Sequence, residues 1–278
     1  MLAAKNADGV IVVVGITSQL EGEEMPVSEP GFLGGDRTSI DLPAPEQALV
    51  EAVVATGKPV AVVLTNGSAM AINWINDHAN AVLEAWYPGE EGGAAVAETL
   101  SGKNNPAGRL PLTYYKDLGQ LPNFEDYTMA GRTYRYFKGK PLYPFGYGLS
   151  YTTFSYSNLN VASQSVAAGS PVSADVTVKN TGSRAGDEVV QLYLNFPDVK
   201  GAPAIALRGF QRIDLEAGES RNVHFELKDR DPVMVTEGGD PIIAPGKYAV
   251  SLGGGQPNTG APGVSGQFRI DGQLALPE

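Results

Sequence analysis

The sequence predicts two domains in series. The first is a three-layer α/β domain on a partly truncated parallel sheet; the second is an all-β sandwich. Three observations carry this. Continuous β-branched runs alternate with helically spaced apolar residues early in the chain. From about Tyr151 onward, apolar and polar residues alternate between turn signals. The chain has 278 residues, more than the roughly 100–200 of one typical domain.

Val10 to Gly15 (V-I-V-V-V-G) reads as a strand buried on both faces. Pro45 to Thr56 follows as a helix, with Leu49, Val50, Val53 and Val54 at helical spacing and Gly57 as the stop. Pro59 to Asn66 is a second buried strand, Ser68 to Asn76 a helix, and Val82 to Trp86 a third strand. Gly93 to Leu100 is a helix closed by Ser101-Gly102. This strand–helix alternation implies parallel pairing. Three strands are few for an independent open sheet, so the domain over residues 1–118 is expected to be incomplete at its N-terminal side.

Residues 119–150 form a connector. The wider stretch 101–150 holds Pro106, Pro111, Pro122, Pro141 and Pro144 among tyrosines from Tyr114 to Tyr147. Proline denies regular structure while the aromatic rings bury area, so an extended segment packed on a surface is expected. In residues 151–278 the alternating sets are Val172/Ala174/Val176/Val178, Val190/Leu192/Leu194, Val223/Phe225/Leu227 and Tyr248/Val250/Leu252. Asn180-Thr-Gly, Ala217-Gly-Glu and Ala244-Pro-Gly supply turns. The pattern fits a sandwich of immunoglobulin or fibronectin type III style. Gly253-Gly-Gly255 follows a strand with no helix after it, so it reads as a loop and not a phosphate cradle.

Charge narrows the function classes. Apolar residues are 42% and charged residues 18%, and the net charge is −11. Residues 1–118 carry 6 basic and 15 acidic side chains, so the acid is concentrated in the first domain. An acidic surface repels nucleic acid and anionic lipid, and neither is expected as a partner. The absence of cysteine excludes disulfides, zinc–thiolate sites and thiol nucleophiles. The longest apolar run, Gly9 to Ile16, falls well short of the ~20 residues of a membrane span. Met1-Leu-Ala-Ala-Lys-Asn lacks the basic lead and apolar core of a signal peptide.

Chemistry is densest just after the first strand. Glu21, Glu23, Glu24, Glu29, Asp36 and Asp41 fall within 21 residues, with Arg37 as the only base. Ligands bind at this C-terminal edge of parallel sheets. Crowded carboxylates raise one another's pKa, which suits a proton donor. A solvated acidic loop and a calcium site are the other readings, although the spacing does not fit an EF-hand. Asn66-Gly-Ser-Ala-Met70 resembles a nucleophile elbow without its flanking glycines, and Ser68 also reads as a helix N-cap. His78 reads as an exposed helix end and His224 lies in a strand of the other domain, which argues against a Ser–His–Asp triad. Trp74 and Trp86 could stack on sugars but lie in apolar patterns and read as core.

Five motifs in order become specific together: Gly34-Gly-Asp-Arg-Thr-Ser-Ile-Asp-Leu-Pro43, Tyr87-Pro-Gly-Glu-Glu-Gly-Gly93, Asn105-Pro-Ala-Gly-Arg-Leu-Pro-Leu-Thr113, Tyr134-Arg-Tyr-Phe137 and Pro144-Phe-Gly-Tyr-Gly-Leu-Ser-Tyr-Thr-Thr-Phe154. This set resembles the C-terminal half of family 3 glycoside hydrolases, exo-acting β-glucosidases and β-xylosidases, over essentially the whole chain. The resemblance implies an α/β sandwich and a fibronectin type III-like domain. It implies retaining hydrolysis of terminal β-linked glucosides or xylosides, in oligosaccharides or aryl β-glycosides, with no organic cofactor; nothing in the sequence suggests a metal.

It also implies a general acid/base glutamate on the loop 16–35. Glu21 is the best positional match, and Glu23 and Glu24 are alternatives. Asp36 and Arg37 are expected to hold the loop as a charge-assisted pair. The family's nucleophile lies on an N-terminal barrel that this chain does not contain. The chain therefore reads as a truncated piece or the product of an internal start, with self-association or a separate barrel domain as partner. The resemblance further implies an exported parent, periplasmic or extracellular, with the compartment left open.

Overall fold

The computed structural model describes residues 2–277, which divide into two compact units. Among these, the first comprises residues 2–104, 113–125 and 139–143, and the second residues 105–112, 126–138 and 144–277.

In the first unit, α1 (Leu2–Lys5) leads into β1 (Val10–Gly15). Three two-residue strands follow: β2 (Ser28–Glu29), β3 (Phe32–Leu33) and β4 (Asp36–Arg37), paired antiparallel in that order. Then come α2 (Ala44–Val54), β5 (Val60–Thr65), α3 (Asn73–His78), β6 (Ala81–Glu84) and α4 (Gly92–Leu100). The main sheet has order β1-β5-β6, all parallel, with Val10 opposite Val60 and Ala61 opposite Ala81.

Pro43, at the N-cap position, ends the extended lead into α2, and Pro45 sits in the first turn of the helix, where its missing N–H is harmless. Val50 and Val53 of α2 pack with Val12, Val14, Val60, Val62 and Leu64 in one core. The parallel α/β arrangement agrees with the sequence reading.

Two local expectations are corrected. Val10–Gly15 is not buried on both faces: Ile11 and Val13 are each 60% exposed while Val12 and Val14 are buried. Apolarity on both sides of a strand does not say that both sides are covered. The helix expected from Ser68 starts only at Asn73, with Ile72 at the N-cap position, so Ser68 caps no helix. Residues 66–72 instead make a bend held by a bridge from Ala71 to Asp41.

The second unit contains α5 (Thr133–Tyr136) and the strands β7 (Phe154–Val161), β8 (Ser165–Ala167), β9 (Val172–Asn180), β10 (Gly186–Asn195), β11 (Ala206–Leu215) and β12 (Ser220–Leu227). It continues through β13 (Met234–Val235), β14 (Pro241–Ile243), β15 (Gly246–Gly253), β16 (Gly263–Asp271) and β17 (Leu274–Ala275). A five-stranded sheet β11-β10-β15-β16-β8 faces a three-stranded sheet β12-β9-β7, with a small β13-β14-β17 sheet beside them.

Alternate residues of β9 (Val172, Ala174, Val176, Val178) meet Val190, Leu192, Leu194, Val250 and Leu252 in the sandwich core, as their period of two predicts. The opposite face of β10 is buried as well. There Tyr193 lies edge-on to Tyr134 and Phe145, and Gln191 Nε2 donates to the carbonyls of Gly146 and Gly254. The aromatic segment thus covers the outside of a strand, which lets β10 be apolar on both sides.

Candidate active site at the sheet edge

Parallel pairing brings the loops after β1, β5 and β6 to one edge of the sheet. The loop after β1 turns on bonds from the Leu20 and Glu21 amides to the Thr17 carbonyl. It is tied to the turn between β3 and β4 by Gly22 N to Gly35 O and Met25 N to Gly34 O. Glu21 is half-buried there, whereas Glu23, Glu24 and Glu29 are exposed.

The loop after β5 supplies Ser68. Its hydroxyl donates to Glu21 at 2.8 Å from Oε1 and 3.1 Å from Oε2. Arg37 completes the group from β4. Its Nη1 donates to Ser68 Oγ at 3.1 Å and to the Ala69 carbonyl at 3.0 Å, its Nη2 to the Asp41 carbonyl, and its Nε to the Ser39 carbonyl. Burial lowers the Arg37 pKa, and the nearby charges of Glu21 and Asp41 oppose that shift. A guanidinium stays charged through such shifts, so the group remains a cation beside a carboxylate.

The segment after β6 brings Tyr87, whose hydroxyl donates to the Ile16 carbonyl at 2.8 Å. Burial raises its pKa, and the charge of Glu21 adds to the rise. The Tyr87 ring lies against Gly67, where a Cβ would come within 2.8 Å of the ring and push it aside.

Beneath the group lies a buried polar cluster. Tyr114 OH donates to Glu84 Oε2 at 2.6 Å, Trp86 N to Glu84 Oε1 at 3.0 Å, and Asn66 Nδ2 to Glu84 Oε2 and the Ser68 carbonyl. Desolvation raises the Glu84 pKa against the pull of these three donors. Sequence reasoning missed this cluster. Its available signal was a polar residue closing each apolar run, Asn66 after β5 and Glu84 at the end of β6.

The remaining predicted residues fall as follows. Asp36 is exposed and makes no ion pair with Arg37 among the described residues, which corrects the expected clamp. Consecutive residues of a strand face opposite ways, so Arg37 turns to Ser68 while Asp36 turns outward. His78 is exposed and stacks on Trp74 at 4.1 Å; His224 pairs with Asp175 on β9. Trp74 and Trp86 are half-buried. Among the described residues, no three His, Asp or Glu side chains gather as metal ligands, and no helix is long and apolar enough to cross a membrane.

The family model for the glycosyl hydrolase family 3 C-terminal domain matches residues 1–151. The chain belongs to that family. A fibronectin type III-like domain model matches residues 188–256. A xylan 1,4-beta-xylosidase from Xylanibacter ruminicola is 45% identical over 251 residues, which is 90% of this chain and 29% of that protein. A periplasmic beta-glucosidase from Salmonella typhimurium is 37% identical, over 90% of this chain and 33% of that protein. Among solved structures, a beta-glucosidase from Listeria innocua in complex with glucose matches with a TM-score of 0.81 at 28% identity, covering 98% of this chain and 38% of that one. This chain therefore spans about a third of the length of the relatives it matches. Fold class and family agree with the reading of the sequence.

Proposed function

We propose that this family 3 chain acts in a β-glycosidase that removes terminal β-linked glucose or xylose with retention, from oligosaccharide or aryl β-glycosides. Glu21 is the general acid/base. The observation that carries this is its hydrogen bond from Ser68: of Glu21, Glu23 and Glu24, it alone has a side-chain partner among the described residues, and a positioned carboxylate is what proton transfer needs.

In the first step Glu21 gives its proton to the glycosidic oxygen as the bond to the anomeric carbon breaks. In the second it takes a proton from the water that attacks the glycosyl–enzyme intermediate. Retention requires a second carboxyl group about 5–5.5 Å away as nucleophile. The family resemblance assigns that nucleophile to a barrel domain. The names of the relatives, xylosidases and glucosidases alike, support the substrate class.

The test is a chimera in which this chain replaces the matching third of the Xylanibacter ruminicola relative, assayed on p-nitrophenyl β-xyloside and β-glucoside. Glu21→Gln is expected to lower kcat by roughly 10²–10⁴-fold, the usual share of general acid/base catalysis, and azide is expected to restore turnover. If Glu23→Gln or Glu24→Gln gives that loss while Glu21→Gln does not, the acid/base role moves and Glu21 becomes a loop anchor. A chimera that binds sugar but turns over nothing would favour a non-catalytic carbohydrate- or protein-binding module.

A further inference from the structure

The second unit carries a cationic cleft that plays no part in the chemistry above. Arg135 of α5, Arg208 of β11 and Arg230 in the turn after β12 line an open cavity of about 440 Å³. Its other walls are Val233, Pro241, Leu276 and Pro277, and none of the lining residues is acidic. Among the described residues no carboxylate comes within ion-pair distance of any of the three arginines.

Two of these guanidinium groups are fixed but not satisfied. Arg208 lies 5.4 Å from the centre of the Phe196 ring and donates Nη2 to the Val233 carbonyl at 3.1 Å. Arg135 lies over the Tyr136 ring at 5.9 Å. The Nε–H groups of both are buried and have no protein acceptor among the described residues. A buried donor left unpaired is costly, most of all on a charged group.

The two cations also act on each other. Burial first, and the charge of Arg135 second, lower the Arg208 pKa. Asp231 opposes this from a distance, its carboxylate accepting from the Lys228 amide at 2.6 Å. A negatively charged group in the cleft would supply the counter-charge that its lining lacks and offset the repulsion between the two cations.

From this geometry we infer that the cleft binds an organic oxyanion, its carboxylate or phosphate group received by Arg135 and Arg208 and its body lying against Val233, Pro241 and Leu276. The fork of a guanidinium suits either oxyanion. The apolar walls and a volume within the ~300–1,000 Å³ of small-molecule sites favour an anion carried on a body of monosaccharide size over a bare inorganic ion. Arg230 is exposed and adds a third, movable donor group. The site is independent of Glu21 and does not rest on the glycosidase reading.

The experiment follows the arginine Nε–H signals of the full chain by NMR at constant ionic strength. Sodium D-glucuronate, glucose 6-phosphate, D-glucose, sodium phosphate and sodium chloride are titrated separately. Saturable shifts of the Arg135 and Arg208 signals with glucuronate or glucose 6-phosphate, and none with glucose, are expected; the tighter of the two names the oxyanion. Arg208→Gln should abolish the response. Because Arg208 also packs on Phe196, Arg230→Gln serves as the second variant, with at least a fivefold weaker Kd and an unchanged Tm. The proposal is overturned by an absence of saturable shifts with both organic anions. Equal shifts with phosphate or chloride, or binding unaffected by Arg230→Gln and Arg208→Gln, overturn it as well.

Discussion

The Ser68 hydroxyl spans both carboxylate oxygens of Glu21 and in turn accepts from Arg37 Nη1. Glu21 comes from the loop after β1, Ser68 from the loop after β5 and Arg37 from β4, so the relay exists only when the sheet edge is assembled. A hydrogen bond to a charged group contributes about 1.5–3 kcal/mol, and about 1.4 kcal/mol is a factor of ten. Ser68→Ala in the chimera should therefore lower kcat by roughly 10–100-fold, with KM little changed. Ser68→Thr, which keeps the hydroxyl, should recover most of the loss. A Ser68→Ala enzyme with wild-type kcat would remove Ser68 from the proposed site.

Arg37 holds this arrangement through donors pointing in several directions, to Ser39, Asp41, Ser68 and Ala69. Lysine has the charge but not the planar fork. Arg37→Lys is accordingly expected to behave like Arg37→Gln in the chimera assay, both well below wild type. Full activity in Arg37→Lys would mean that charge alone matters at this position.

The half-buried Glu84 makes stability depend on pH. Burial raises its pKa in the folded chain above the unfolded value of about 4.3, so the folded state holds a proton that the unfolded state has released. Stability from this group is thus fully present below about pH 4.3 and falls as pH rises through the elevated folded value. Glu84→Gln cannot titrate. Relative to wild type it should become progressively more stable between acid and neutral pH, read as the difference in urea midpoints. Glu46 and Glu188 are also raised but are common to both proteins, so they cancel in that difference. Midpoints that run parallel for the two proteins would show that Glu84 is not the titrating group.

The sequence patterns told different amounts about different parts. The β9 set from Val172 to Val178 was legible because a sandwich strand has one core face, and burial follows the alternation. Val10–Gly15 was legible as a strand but not in its exposure, which depends on what lies over each face. Asp36 and Arg37 look like a pair in sequence because they are adjacent, and in a strand adjacency separates them. Ser68 looks like a cap because its neighbours are local; its actual acceptor, Glu21, is 47 residues away. Gly254 reads only as loop in the sequence, yet a Cβ there would collide with Glu188 Oε1, so the residue is required by a close approach.

That approach belongs to a buried ion pair in the second unit. Arg109 Nη2 donates to Glu188 Oε2 at 2.9 Å, with the side chains only 9% and 2% exposed. Tyr156 OH donates to the other oxygen at 2.6 Å and Arg109 Nε to the Gly254 carbonyl. Removing one partner of such a pair typically costs about 3–5 kcal/mol, while replacing both by apolar groups is often nearly neutral. Arg109→Met should therefore be destabilised by that amount near neutral pH. The double variant Arg109→Met/Glu188→Leu should recover part of it. Burial already raises the Glu188 pKa, so the penalty in the single variant should shrink as pH falls and the carboxyl takes a proton. Denaturant unfolding of the three proteins decides this, and a double variant no more stable than Arg109→Met would contradict it.

The open face of β1 bears on assembly. Ile11 and Val13 project side by side from a strand at the edge of the sheet, each 60% exposed, and their strand neighbours Val12 and Val14 are buried in the core. An uncovered β-branched row on an edge strand is a template for association with a second copy. The purified chain is expected to self-associate with rising concentration in light scattering. Lysine at both positions should suppress this through charge repulsion on the edge. Because neither side chain contributes to the core, Ile11→Lys/Val13→Lys should leave the Tm within a few degrees of wild type. A wild-type chain that stays monomeric across a wide concentration range would rule out this role for β1, as would a double variant that associates equally well.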